Sequence, residues 1–82
     1  MMVVHFYGRI ADRVGRSIEL DLPESITTVA DLRQLLASTH PDAAAEIASG
    51  LLKACIGDEI VGEAHDIRRA GAIEFFPPLS GG

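Results

Sequence analysis

The sequence predicts an α+β domain in which a small mixed β-sheet wraps over one main helix. Two observations carry that expectation. Short β-branched or alternating runs at residues 2–7, 17–22, 54–61 and 72–76 surround one long stretch of helical periodicity that begins at Val29. The chain has only 82 residues, 48% of them hydrophobic, which suffices for one core and leaves no room for a second.

Residues 2–7 place Val4 and Phe6 on one face and Val3, His5 and Tyr7 on the other, so a strand partly covered on both faces is expected up to Gly8. Ile10 and Val14 stand four apart, enough for about one helical turn, and Gly15-Arg16 turns the chain back. Residues 17–22 alternate, with Ile18, Leu20 and Leu22 inward and Glu19 and Asp21 outward, until Pro23. This second strand is expected to pair antiparallel with the first.

Thr28 followed three residues later by Asp31 resembles a capping box, and Val29, Leu32, Leu35 and Leu36 then recur at helical spacing. The polar side of this helix is expected to carry Asp31, Arg33, Gln34 and Ser38, and His40-Pro41 ends it. Alanine-rich residues 42–49 predict a second short helix closed by Gly50. Two apolar runs, 54–56 and 60–61, flank a glycine-containing turn and predict a hairpin. Residues 62–69 are polar and irregular, and Gly71 precedes a last strand over 72–76 that Pro77-Pro78 ends, since neither proline can donate to a ladder.

The order β-β-α-β-β is that of a β-grasp, or ubiquitin-like, layout. A split β-α-β arrangement would need a second full helix before the last strand, where this chain has its polar stretch. Residues 1–76 are therefore expected to form the domain and residues 77–82 an extended tail.

Seven Lys and Arg against twelve Asp and Glu give a formal charge of −5, which argues against a nucleic-acid backbone or an anionic membrane as partner. The single Cys55 cannot form an internal disulfide, and no Cys-x-x-Cys cluster occurs, so a reducing cytoplasm is the expected location. No signal-peptide pattern and no run of ~20 apolar residues is present, so a soluble protein is expected.

His5, His40 and His65 have no metal-ligand spacing, and Cys55 among apolar neighbours reads as a core thiol. Asp58-Glu59, Glu63 and Arg68-Arg69 read as solvated loop charges, and Gly8, Gly15, Gly57 and Gly62 as turn glycines outside any nucleotide-binding fingerprint. No self-contained active site emerges.

The last six residues carry more chemistry. Without Cβ atoms, Gly81-Gly82 can thread a channel too narrow for side chains and present a bare carboxylate to another protein. Pro77-Pro78 projects that segment stiffly, with little conformational freedom to lose on docking. Phe75-Phe76 sets aromatic rings on both faces of the preceding strand, one for the core and one for a partner.

The segment Phe75-Phe76-Pro77-Pro78-Leu79-Ser80-Gly81-Gly82 resembles the C-terminal signature of the MoaD/ThiS sulfur carriers, closest to the branch formed by the small subunits of molybdopterin synthase. Val4-His5-Phe6-Tyr7-Gly8 with the following short helix, and Thr28-Val29-Ala30-Asp31-Leu32, resemble that family's first strand and capped helix. The resemblance implies a β-grasp fold and a definite role for the tail. An E1-like adenylyltransferase, holding ATP and Mg²⁺, would adenylate the Gly82 carboxylate, and a persulfide donor would convert it to a thiocarboxylate. The tail would then donate sulfur to cyclic pyranopterin monophosphate inside the large synthase subunit, in a heterotetramer of two small and two large chains.

On that resemblance, Gly82 is the reactive carboxyl and Gly81 gives channel fit, while Phe75, Phe76, Pro77, Pro78, Leu79 and Ser80 dock the partner. No cofactor or metal is implied on this chain itself. The sequence departs from the family where an acidic turn before the last strand is replaced by Arg69-Ala70-Gly71-Ala72, and where Gly57 replaces an Asn. A thiamine-pathway sulfur carrier and a ubiquitin-like protein modifier are the alternatives that share the activation chemistry.

Overall fold

Strand β1 spans Met2–Phe6, and its period-two pattern buries Met2, Val4 and Phe6 while Val3 and His5 lie half-buried on the opposite face. These positions come from a computed structural model that describes residues 1–78. Helix α1 (Arg9–Val14) is a single amphipathic turn and a half that buries Ile10. Gly8 and Gly15 bracket it at φ 82° and 100°, backbone states that side-chain-bearing residues enter only with strain.

Strand β2 (Ser17–Leu20) pairs antiparallel with β1 as expected, Met2 opposite Leu20 and His5 opposite Ser17. It stops two residues earlier than its alternation predicts. β1 begins at Met2, opposite Leu20, so the ladder ends there, and Leu22 packs against the core without joining the sheet.

Helix α2 (Val29–Thr39) starts at a complete capping box: the Asp31 N–H donates to Thr28 Oγ1 at 3.2 Å, and Asp31 Oδ2 accepts the Thr28 N–H at 3.2 Å. The same oxygen accepts the Thr27 N–H at 3.0 Å, the foremost reason the Asp31 carboxyl is held below the usual range. The helix buries Val29, Leu32, Arg33 and Leu36, which overturns the expectation that Arg33 belongs to the polar side. Positions 29, 32, 33 and 36 form one helical stripe, so spacing alone puts Arg33 inward.

The buried guanidinium finds acceptors. Nη1 donates to the Ile47 carbonyl at 3.2 Å, Nη2 to the Leu52 carbonyl at 2.6 Å, and Nε to both Glu63 carboxylate oxygens at 2.8 and 3.0 Å. It thereby satisfies two backbone carbonyls flanking the turn that follows the next helix.

The predicted second helix is present in two pieces, a 3₁₀ turn (Pro41–Ala43) and α3 (Ala44–Ala48), together burying Ala43 and Ile47. Gly50 follows the C-cap Ser49 without the positive φ that a glycine there suggests. Strands β3 (Lys53–Ile56) and β4 (Glu59–Val61) form the predicted hairpin across a two-residue turn, with Gly57 at φ 63° in its first central position.

The polar segment 62–71 is irregular but anchored. Ile67 is fully buried, and its N–H donates to the Thr27 carbonyl at 2.9 Å. Asp66 accepts the Arg68 side chain and N–H, the contacts that pull its carboxyl down to about 2.

Strand β5 (Ala72–Phe76) matches its predicted bounds and lies between β1, which it pairs in parallel, and β3, which it pairs antiparallel. The sheet order β2-β1-β5-β3-β4, with α2 against one face, is the β-grasp arrangement. Among the described residues no helix is long and apolar enough to cross a membrane.

Candidate functional site

The segment singled out by sequence begins on β5, whose alternation decides the two aromatic rings. Phe75 points into the core with 1% of its surface exposed and stacks on Phe6, ring centroids 5.8 Å apart at 21° between planes. This removes Phe75 from the expected docking set, because a ring enclosed by the core offers no surface to a partner. Phe76, one residue on, is half-buried on the opposite face, across from Lys53 of β3.

That outer face carries a row of side chains held in register across four strands. His5 of β1 stands opposite Glu74 of β5, Glu74 opposite Cys55 of β3, and Cys55 opposite Ile60 of β4. Tyr7 Oη donates to Glu74 Oε2 at 2.9 Å, and this contact with the carboxylate raises the Tyr7 phenol. Tyr7 and Ile60 are large hydrophobic residues with 47% and 67% of their surface exposed. With the half-buried Phe76 they add apolar surface to a face that also carries His5, Lys53 and Glu74.

Cys55 lies on this face, half-buried, instead of in the core expected for it, because its neighbour Ala54 takes the inward position. Its Sγ donates to the Gly57 carbonyl at 3.3 Å, and desolvation, reinforced by Glu74, Asp58 and Glu59, raises its pKa. A thiol so placed is a poor nucleophile.

Pro77 and Pro78 are exposed beyond the end of β5. The strand end is tied to β1 by the Tyr7 N–H, which donates to the Phe75 carbonyl at 3.0 Å. Pro77 lies close against Gly8. Leu79, Ser80, Gly81 and Gly82, assigned above to docking, channel fit and chemistry, lie outside the described residues.

The histidines are scattered. His40 bonds through Nδ1 to the Leu36 carbonyl at 3.1 Å at the end of α2, His65 is exposed in the 62–71 segment, and His5 is half-buried on the sheet. Among the described residues no group of three or more His, Cys, Asp and Glu converges as a metal would require. A depression of about 480 Å³ opens beside Arg33, Lys53, Ile60 and Glu63, where Arg33 and Glu63 are already engaged with one another. The described residues offer a five-stranded sheet, an outer face that exposes Tyr7 and Ile60, and a chain that leaves the central strand at Pro77-Pro78.

Sequence reasoning missed Tyr7, Ile60 and Glu74 as parts of that face. The alternation in residues 2–7 already put Tyr7 outward, but which outward residues of four strands stand side by side depends on register.

A family model described as the ThiS family matches residues 4–82. No curated protein matches the sequence. Among solved structures, the crystal structure of SAMP1 from Haloferax volcanii resembles this chain with a TM-score of 0.79 at 20% sequence identity, covering 99% of this chain and 98% of that one. At that identity the likeness concerns the fold.

Proposed function

This chain belongs to the ThiS family, and from that membership we propose that it is a sulfur carrier whose Gly82 carboxylate is activated and thiolated, serving as the small subunit of molybdopterin synthase. The observation that supports the reading is the exit of Phe76-Pro77-Pro78 from the central strand beside an apolar outer face. The docking surface and the base of the tail are thus parts of one rigid element.

Carboxylates are poor electrophiles, so the first step belongs to an E1-like adenylyltransferase. A Gly82 oxygen attacks the α-phosphorus of ATP, with Mg²⁺ neutralising the phosphates, and pyrophosphate leaves. A donor persulfide then attacks the acyl carbon and expels AMP. Reduction of the resulting acyl disulfide by a thiol leaves Gly82 as the thiocarboxylate, an anion at neutral pH and a stronger nucleophile than the original carboxylate.

This chain's part is to dock and aim. Phe76, Tyr7 and Ile60 supply apolar contact, Pro77-Pro78 keeps the tail extended, and Gly81-Gly82 passes a narrow channel into the large synthase subunit. Each tail delivers one sulfur to cyclic pyranopterin monophosphate, so the two sulfurs of the product dithiolene need two carriers, in keeping with a heterotetramer. The cytoplasm, where ATP is available, is the proposed location.

Intact mass spectrometry tests the reading. With an E1-like enzyme, ATP, Mg²⁺ and a persulfide donor, an oxygen-to-sulfur mass change confined to Gly82 is expected, followed by conversion of the pyranopterin when the large subunit is added. Lysine-linked conjugates would instead identify a modifier, and transfer only to a thiazole-forming enzyme a thiamine-pathway carrier. Full conversion by a chain lacking Gly82 would overturn the proposal.

A further inference from the structure

We propose that Gly8 is a positioning residue for the tail: it holds the only described turn in which the absence of a side chain makes room for Pro77. Gly8 has φ 82° and ψ −158°, and an ideal Cβ built on it would lie 2.8 Å from Pro77 Cγ and 3.1 Å from Pro77 Cδ. Carbon atoms in proteins do not approach so closely without displacement. The other positive-φ glycines, Gly15 and Gly57, have open space where a Cβ would go, so the close approach is particular to Gly8.

The contact is rigid on both sides. The Gly8 carbonyl accepts the Ala11 N–H at 3.1 Å, fixing the turn into α1, and the adjacent Tyr7 N–H holds the Phe75 carbonyl at 3.0 Å, fixing the end of β5. Pro77 joins these elements, and its ring, locked at φ near −65°, cannot swing aside as a long side chain would. A Cβ at position 8 would push Pro77 off the turn and redirect the stiff Pro77-Pro78 unit. Active sites penalise misplacement of a reacting group by about 1 Å with rate losses of up to about a hundredfold.

The kinetic part of this inference rests on the sulfur-carrier reading; the seating of Pro77 on Gly8 does not, and the experiment separates them. In the full chain, NMR should record a nuclear Overhauser effect between Gly8 Hα and the Pro77 ring protons. With an E1-like adenylyltransferase, ATP and Mg²⁺, pyrophosphate release should give kcat/KM for the wild type and for Gly8→Ala, Pro77→Gly and the double variant. Each single change should lower kcat/KM about tenfold, and the double should lower it by no more than the larger single effect, since the Cβ added at position 8 has no ring to displace once Pro77 is gone. Effects that multiply to about a hundredfold, or a Gly8→Ala chain that turns over like wild type, would overturn the proposal.

If Gly8→Ala fails to fold, Pro77→Gly alone decides, because it removes the ring with the Gly8 backbone intact, and unchanged kcat/KM would then refute the idea. A wild-type chain that is never adenylated would defeat the carrier reading; the Overhauser effect would still report the seating, and its absence would refute that.

Discussion

The guanidinium carbon of Arg33 lies 5.1 Å from the ring centroid of Phe75, a cation on the main helix set over an aromatic face of the strand that leads to the tail. The two partners of the ion pair on this arginine differ sharply: the Arg33 side chain is 8% exposed, that of Glu63 54%. Arg33→Ala should cost about 2–4 kcal/mol, because it opens a cavity and strands the Ile47 and Leu52 carbonyls. Glu63→Gln should cost under about 1 kcal/mol, since that carboxylate stays solvated. Urea denaturation of both variants checks the asymmetry, and equal losses would contradict it.

The adjacent phenylalanines should separate stability from recognition. Phe75→Ala, inside the core against Phe6, should lose about 3–5 kcal/mol and leave a marginal fold. Phe76→Ala should keep a near-native melting temperature while weakening binding to the large synthase subunit proposed as its partner at least about tenfold. Calorimetric titration of that subunit, beside a melting curve, reads both effects.

At the start of α2, Thr28→Ala should cost about 1 kcal/mol and lower the melting temperature by about 4–8 °C. Asp31 is held below its ordinary pKa and Asp66 at about 2, so the unfolded chain binds more protons than the folded one in acid. Their contribution is therefore complete above the unfolded carboxylate values near 4 and is lost as pH falls toward about 2. Melting temperatures between pH 5 and pH 2 should decline, and Asp66→Asn should flatten part of that decline.

Cys55 should alkylate slowly. With its pKa raised by partial burial and by Glu74, Asp58 and Glu59, it carries less thiolate at pH 8 than a free cysteine. Iodoacetamide labelling followed by mass should run slower than for glutathione at that pH and accelerate in Glu74→Gln. Labelling as fast as the free thiol would show that the carboxylates do not act on it.

Local patterns made much of the fold legible. Alternation named β1 and β5 and put Phe75 and Phe76 on opposite sides, and Thr28 with Asp31 announced the start of α2. What stayed hidden was non-local. The end of β2 was set by where β1 starts, and the Ile47 and Leu52 carbonyls that satisfy the inward Arg33 are brought near only by folding. Ile67 looked like one apolar residue in a polar loop until its amide met Thr27, and Gly8 looked like an ordinary turn glycine until Pro77, far along the chain, came to rest on it. Alternation separated Phe75 from Phe76, but the burial of Phe75 depended on the partner ring of Phe6.

The parallel pairing of β1 with β5 also sets an order of events during synthesis. Val3 must wait for Ala72 and Phe6 for Phe75, so the first strand made can complete its ladder only with the last. At about 5–20 residues per second this leaves a bare strand edge on the growing chain for several seconds, a stretch open to wrong pairing and to nascent-chain chaperones. A polypeptide released before β5 has been made lacks the centre of its sheet, so truncation there removes the ladders to both β1 and β3 at once.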